Sequence, residues 1–348
     1  MLGKQRRLAV MAEGSFTPMD AKTALGVLRY RTSEVVAVID SGRAGRTCDD
    51  CVGVGGDIPV VAGLEAAAAH EPDSLLLGIA PQGGTLPESW RRVVAEALLR
   101  GWDVLSGLHV FLADDPELSA LARAKGCTIH DVRRPPATRY IAARRAASGD
   151  ALIVLTVGSD CNVGKMTVAL ELDRAARAGG LRSAWAATGQ TGIVLRGRGV
   201  PVDRVVADFI AGVAQILVQE EGRDADVVVV EGQGAIAHPG YAGVTLGLLY
   251  GVMPDAMVLA HTAGRERYKR FQHAIPPLPE VVALYESLMR PYKRARVAAI
   301  ALNTSAFATD DAHRELERAS EATGLPAGDV VRFGAEPVWS AVRDAIGR

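Results

Sequence analysis

What the sequence lacks narrows it first. Its 348 residues carry 39 Lys and Arg against 40 Asp and Glu, a formal net charge of −1, so the basic footprint of a nucleic-acid binder is missing. No run of roughly 18 apolar residues free of charge occurs, which argues against a membrane-spanning helix. The start, MLGKQRRLAV, is basic, but the apolar run after it stops before Glu13 and is too short for a secretory signal. Four cysteines in so long a chain fit a reducing compartment better than a disulfide scaffold. Cys48 and Cys51 make a lone CxxC with no second pair at ligand spacing and no thioredoxin-like context. They read as two thiols in a loop rather than half a zinc site or a redox pair. Repeats and low-complexity tracts are missing too. These absences point to a soluble, cytoplasmic protein whose expected partners are a small-molecule substrate and further copies of itself in a homo-oligomer, with no nucleic acid and no membrane.

What is there is organised around Ala151–Ala176, ALIVLTVGSDCNVGKMTVALELDRAA. A β-branched apolar run ends at Gly158, and beyond Gly164 and Lys165 the apolar spacing changes to that of a helix. Strand, glycine turn and helix together make an anion site: turn N–H groups converge, the helix N-terminus adds partial positive charge, and Lys165 adds a full one. The pattern approaches the phosphate-loop motif GxxxxGK[ST] with two departures. Ser159 stands at the first glycine, one residue after Gly158, and Met166 replaces the hydroxyl that ordinarily ligates magnesium, with Thr167 one step late. Phosphate cradling survives that change; magnesium ligation, and with it nucleotide hydrolysis, is put in doubt.

The length suits two domains, each able to bury a core. The N-terminal half alternates strands and helices: a strand at Arg7–Met11, a helix at Ala21–Arg31, a strand at Val35–Ile39, a glycine-rich loop at Ser41–Gly56, a strand at Ile58–Val61 and a helix at Leu64–His70. A strand at Ser74–Ile79, a helix at Glu88–Arg100 and a strand near Val104 follow. Such alternation predicts an α/β fold with a parallel sheet, whose ligands bind beyond the strand C-termini near Asp40, Gly42, Gly83 and Gly84. Asp40 is where a ribose could be held, but no GxGxxG follows the first strand. The expected division is a Rossmann-like domain over 1–135, a linker over 136–150 with a helix near Tyr140–Ser148, and a phosphate-loop domain over 151–348. The Arg133, Arg134 and Arg139 cluster, with Pro135 and Pro136, is read as a solvated crossing, with contact to a polyanionic ligand as the alternative.

Past the phosphate loop, Ser183–Ala187 leads into the turn Thr188–Gly192. A long helix through Gln219 and the strand Asp226–Val230 follow, the strand running into EGQGAIAHPGY. An acid after apolar residues beside a phosphate loop is the Walker B arrangement, and here it is Glu231. Three strand-end loops on one sheet edge predict one shared site. Ala256–Ala260 ends at His261, with Arg265 beyond it; Arg265, Arg267, Lys269 and Arg270 read equally as a basic helix face. Arg296–Leu302 closes on Asn303, whose amide could read a purine edge. Asp310–Thr323 is a helix, followed by Val330–Phe333 and a last helix from Pro337.

The loop GSDCNVGKMT resembles that of the dethiobiotin-synthetase-like class of P-loop proteins. A more specific likeness rests on that loop together with ATGQTG, VVADFIAG, VEGQGAIAHPGYAGVTLGLLYG, HTAGRER, IPPLPEVVALYE and IALNT, preceded by AKTALGVLRY, GIAPQGG and GLHVFL. The chain resembles, over nearly its whole length, a two-domain family long catalogued as a domain of unknown function, whose characterised members are D-glutamate N-acetyltransferases using acetyl-CoA. The resemblance implies a Rossmann-like domain, a P-loop NTPase-like domain with a mostly parallel sheet, and transfer of acetyl from acetyl-CoA to the amine of D-glutamate or a related D-amino acid. A CoA diphosphate needs a cradle and no hydrolysis, so Met166 is tolerable there.

On this reading the cofactor is held by Gly158, Ser159, Asp160, Cys161, Asn162, Val163, Gly164, Lys165, Met166, Thr167, Gln190, Gly232, Gln233, Gly234 and Asn303. Catalysis falls to Glu231 or His261 as base and to Arg265, with Arg196 or Arg198, for substrate carboxylates. No metal is required. The rival readings are an ATP-dependent ligase or kinase on a small carboxylate, with magnesium on Thr167 and Glu231, and a nucleotide-binding regulator without turnover.

Overall fold

The computed structural model describes residues 5–18, 20–79, 86–137, 139–142, 151–269 and 271–347. They form two compact units, one of Met1–Arg134 with Gln190–Pro201, the other of Pro135–Gly189 with Val202–Arg348. Gly83, Gly84 and residues 143–150 of the expected linker helix lie outside the described residues.

The first unit is a parallel sheet of β1 (Leu8–Met11), β2 (Val35–Ile39), β3 (Val60–Val61), β4 (Ser74–Leu77), β5 (Asp103–Ser106) and β6 (Ile129–Asp131), in the order β3-β2-β1-β4-β5-β6. That is the Rossmann order, reversing beside β1. The strands are short continuous apolar runs because helices cover both faces of a parallel sheet. The helices are α1 (Lys22–Tyr30), α2 (Cys48–Val52), α3 (Leu64–Ala68), α4 (Glu88–Leu99) and α5 (Pro116–Lys125).

Helices α2 and α5 went unread in the sequence although their ends are marked. In α2, inside the expected loop, Thr47 and Asp50 form a capping box and Gly53 closes the helix at φ 70°. In α5, Asp115 accepts from the N–H groups of Glu117 and Leu118, Pro116 takes the first turn, and Gly126 ends the helix. Asp40 does not present a free carboxylate to a ribose. It is buried, one oxygen accepting from Phe16 N–H at 3.2 Å and the other from Gly42 N–H at 3.0 Å. It ties the chain after β1 to the turn after β2.

The segment Gln190–Pro201, which the sequence division leaves in the C-terminal domain, groups with this first unit. Its helix α7 (Gln190–Arg196) follows the Thr188–Gly189 turn directly, so the expected loop there is half helix. Thr191 and Thr23 hydroxyls meet at 2.8 Å, and Arg31 donates to the Val194 carbonyl at 2.9 Å. At the base of this excursion, Val202 N–H donates to Thr188 O at 3.1 Å, pinning departure and return together.

The second unit is also a parallel sheet, of β7 (Leu152–Gly158), β8 (Ser183–Ala186), β9 (Val227–Val230), β10 (Ala256–Thr262), β11 (Arg296–Asn303) and β12 (Ala327–Gly328). Its order is β12-β11-β10-β7-β9-β8. From β7 the chain builds first to one side and then, at β10, to the other, so the crevice of the topological switch lies at the C-terminal end of β7. Helices α6 (Lys165–Ala178), α8 (Ile210–Glu221), α9 (Ala242–Val252), α10 (Leu278–Met289), α11 (Thr309–Thr323) and α12 (Glu336–Ala345) complete it.

Helix α9 is absent from the sequence reading for a physical reason. Gly243, Gly247 and Gly251 each lower helix propensity by about 1 kcal/mol, yet two of them are what lets the helix press onto α8. A Cβ at Gly251 would lie 2.4 Å from the Ala211 carbonyl oxygen, and one at Gly247 2.8 Å from the Ile210 side chain. Packing overrides propensity. The last strand, expected at Val330–Phe333, forms instead as the two-residue β12 just upstream.

Candidate functional site

The end of β7 and the start of α6 form a strand, glycine turn and helix within the second unit. Ser159 N–H donates to Ala260 O at 3.1 Å, stitching the loop to the neighbouring strand β10. Val163 is buried as the loop's apolar anchor, Asn162 (φ 54°) and Gly164 (φ 103°) turn the chain in the left-handed region, and α6 then begins without a side-chain cap. No side chain caps its first N–H groups, and uncapped N–H groups at a helix N-terminus favour an anion.

Lys165 folds back over this turn, its Nζ donating to the Asp160 carbonyl at 2.8 Å. Two glycines make room for it: a Cβ on Gly158 would stand 2.7 Å from Nζ, and one on Gly232 would stand 1.7 Å from Thr156 O and 3.1 Å from Lys165 Cδ. Thr156 Oγ1 accepts from Gly232 N–H and donates toward the Lys165 and Val230 carbonyls, locking the ends of β7 and β9 to the first residue of α6. Met166 is only 5% exposed and belongs to the core, while Thr167 is half-buried.

Around the loop the expected residues are held by it and by each other. Glu231 is 1% exposed; one oxygen accepts from Thr188 N–H (3.1 Å) and Gly189 N–H (3.3 Å), the other from Gln233 Nε2 (3.2 Å). It clamps the turn after β8 to the loop after β9. Gly234 (φ 66°) sits where a Cβ would meet Thr245 Oγ1 at 2.5 Å and Tyr241 O at 2.6 Å. His261 Nδ1 lies 2.7 Å from Ser159 Oγ, and burial, followed by the nearby Arg265 charge, pushes its pKa down to about 4. It is neutral near pH 7.

Arg265 does not sit on a helix, as its basic neighbours suggested. Residues 263–269 form turns closed by a bridge between Arg267 and Ala274, and Arg265 Nη1 reaches the Cys161 carbonyl at 2.9 Å and Asp160 Oδ2 at 3.2 Å. Asn303 Oδ1 accepts from Ser305 N–H at 3.0 Å, so its oxygen closes its own turn. Gln190 belongs to the first unit, its side chain so close to Gly107 that a Cβ there would stand 2.9 Å from its Cγ. Arg196 and Arg198 lie in the same excursion.

Sequence reasoning named Asp160 only as a cofactor contact and gave Tyr285 no role; both hold the loop in place. Asp160 is the hub: Oδ2 also accepts from Lys269 N–H at 2.9 Å, and Oδ1 from Cys161 N–H at 2.6 Å. Tyr285, fully buried on α10, donates to Gly158 O at 2.9 Å and accepts from Ile236 N–H at 3.0 Å; burial raises its pKa. Its only trace in the sequence is a tyrosine on an otherwise apolar face with Val281 and Met289.

His238, in the loop after β9, is enclosed by the rings of Tyr241, Tyr268 and Phe271 at 4.7, 5.0 and 4.8 Å. Burial lowers its pKa. Asp160, Cys161 and His238 bring ligand atoms within 4.8 Å of one another, but the donor set does not suit a metal ion. Gly240 N–H donates to His238 Nδ1 at 3.0 Å, so in the neutral ring Nε2 carries the proton, whereas a ligating Nε2 must offer its lone pair.

Comparison with known proteins bears on the whole chain. Residues 140–339 match the family model described as a domain of unknown function (DUF1611_C) P-loop domain, and residues 41–135 match the DUF1611_N Rossmann-like domain. A curated relative from Tritonibacter scottomollicae, named D-glutamate N-acetyltransferase, is 37% identical over 319 residues, covering 90% of this chain and 92% of its own. A second of that name, from a Pseudoalteromonas species, is 34% identical over 276 residues, covering 78% and 82%. The crystal structure of a DUF1611 family protein from Anabaena variabilis, 40% identical, superposes with a TM-score of 0.93 over 97% of this chain and 99% of its own.

Proposed function

The chain belongs to the DUF1611 family, and from that premise we propose that it is an N-acetyltransferase moving acetyl from acetyl-CoA to the amine of D-glutamate or a related D-amino acid. The names of the two curated relatives support the reaction class. The observation that carries the cofactor is the combination at the start of α6: an intact cradle with Lys165 in place, and a core methionine, Met166, where a nucleotide hydrolase needs its magnesium hydroxyl. Such a cradle grips a diphosphate without cleaving it.

In the reaction the neutral amine nitrogen attacks the thioester carbonyl carbon. A C–N bond forms, the C–S bond breaks, the amine gives up a proton, and CoA leaves as its thiol. A diphosphate seated at Lys165 puts the thioester a pantetheine arm away from the loop. Glu231, His261 and Arg265 are bonded to the loop or to its neighbouring turn, so on this reading they shape the diphosphate seat rather than touch the reacting atoms. His261, neutral and bonded to Ser159, keeps the loop's upper end on β10; Arg265 offsets the Asp160 carboxylate beside the incoming anion.

The test is mass spectrometry of reactions containing the protein, acetyl-CoA and a panel of D- and L-amino acids. An N-acetylated D-glutamate peak with stoichiometric release of CoA is expected. ADP formed from ATP and magnesium in the presence of an amino acid, with no acetylated product, would replace this reading by a ligase.

A further inference from the structure

Two buried polar atoms next to the cradle have no hydrogen-bond partner among the described residues: His238 Nε2 and the Tyr268 hydroxyl. His238 and Tyr268 are 1% and 4% exposed, and leaving such groups unpaired is unfavourable unless something else binds them. His238 faces the Asp160 carboxylate. His238 Nε2 lies 3.7 Å from Asp160 Oδ1, too far for a direct bond, and the Tyr268 pKa is raised by burial and then by the Asp160 charge.

The chemistry of these groups is restrictive. A cation is disfavoured because Nε2 carries a proton, held there by Gly240 N–H on Nδ1. An anionic oxygen, such as a third phosphate, would face Asp160 Oδ1. A neutral hydroxyl is chemically complementary to both groups, accepting from Nε2–H and donating to the carboxylate. The neighbouring rings add a second requirement. Tyr241 and Phe271, packed on the His238 ring, are 50% and 38% exposed, so the surface over His238 favours alkyl groups. Position adds a third, since Asp160 also supplies the carbonyl that holds Lys165 Nζ. On the acetyl-CoA reading, an occupant here is joined closely to the diphosphate assigned to Lys165.

A hydroxyl and a branched alkyl group attached directly to a diphosphate describe the pantoyl part of CoA, and no nucleoside polyphosphate carries them. Resting on the acetyl-CoA reading above, we propose that His238 Nε2–H and Tyr268 O–H bind the hydroxyl and adjoining carbonyl of the pantoyl group, while Tyr241 and Phe271 pack against its methyl groups. This subsite is what distinguishes CoA from ADP and ATP on a loop whose phosphate contacts all three share.

Calorimetric titration of the full chain with CoA and, in parallel, with ADP tests this on the wild type, Tyr268→Phe and His238→Phe, both of which keep an aromatic ring. Each variant is expected to weaken CoA roughly fivefold or more and to leave ADP within about twofold, the loss of a neutral hydrogen bond being of that size. Tyr268→Phe discards only an unpartnered hydroxyl, so its melting temperature should hold, which separates lost binding from lost folding. In turnover, the variants should raise KM for acetyl-CoA with kcat largely kept. Equal losses for CoA and ADP, or unchanged CoA affinity, would overturn the subsite while leaving the acetyl-CoA reading standing. A wild type that binds ADP or ATP and not CoA would overturn both.

Discussion

The two sheets invite comparison at their C-terminal edges. Each is six-stranded and parallel, and each reverses direction beside its first strand, the place where such sheets bind ligands. In the first unit the acid after β2, Asp40, spends both oxygens on backbone N–H groups and is sealed. In the second, β7 ends in a glycine turn, α6 begins uncapped, and His238 and Tyr268 keep buried polar atoms unpaired. Shared topology thus gives equal opportunity and unequal chemistry. The difference lies in whether strand-end polar groups are consumed by the protein or held in reserve by it.

The sharpest way to break the comparison is Lys165→Ala. Losing a charged donor to a diphosphate should raise the acetyl-CoA KM by roughly ten- to a hundredfold, measured by steady-state kinetics, whereas Asp40→Asn should leave KM within about twofold. Next in size is Gly232→Ala. Its Cβ would enter the Thr156 carbonyl, and overpacking of this kind costs about 1–3 kcal/mol, which a urea titration would register together with reduced CoA affinity as Lys165 is displaced.

The third prediction concerns pH. The folded-state pKa of His261 lies near 4 against 6.5 for the free side chain. The unfolded chain therefore binds more protons between those values, and stability falls as pH drops through that window. At pH 5 the deficit from this residue is about 2 kcal/mol relative to pH 7. Urea midpoints at the two pH values should converge in His261→Asn; an unchanged difference would remove His261 as the cause. Smallest is Asp40→Asn itself, expected to cost about 1 kcal/mol through weakened backbone bonds, read as a modest fall in melting temperature with CoA binding intact.

Much of the fold was legible because its signals are local. β7, the loop and α6 announce themselves within one stretch, and Val35–Ile39 and Val227–Val230 are strands by composition alone. The family motifs extended that to both domains. What stayed hidden depends on contacts distant in sequence. Tyr285 reaches Gly158 across 127 positions, and nothing near Tyr285 signals a loop partner. Helix α9 is written in glycines that only make sense against α8. Arg265 was legible as a charge but not as a brace, because the turn that carries it is set by Asp160, a residue 105 positions away. The helix ends of α5 were different: Asp115, Pro116 and Gly126 state them in the sequence, and they were simply unread.

The central claim is that the turn before α6 holds the diphosphate of CoA and leaves it intact. Titration of CoA into wild type and Lys165→Ala, with and without EDTA, addresses it most directly. The account predicts wild-type binding indifferent to EDTA and largely lost on removing Lys165. Magnesium-dependent binding of ATP, with no heat from CoA in either protein, would contradict it.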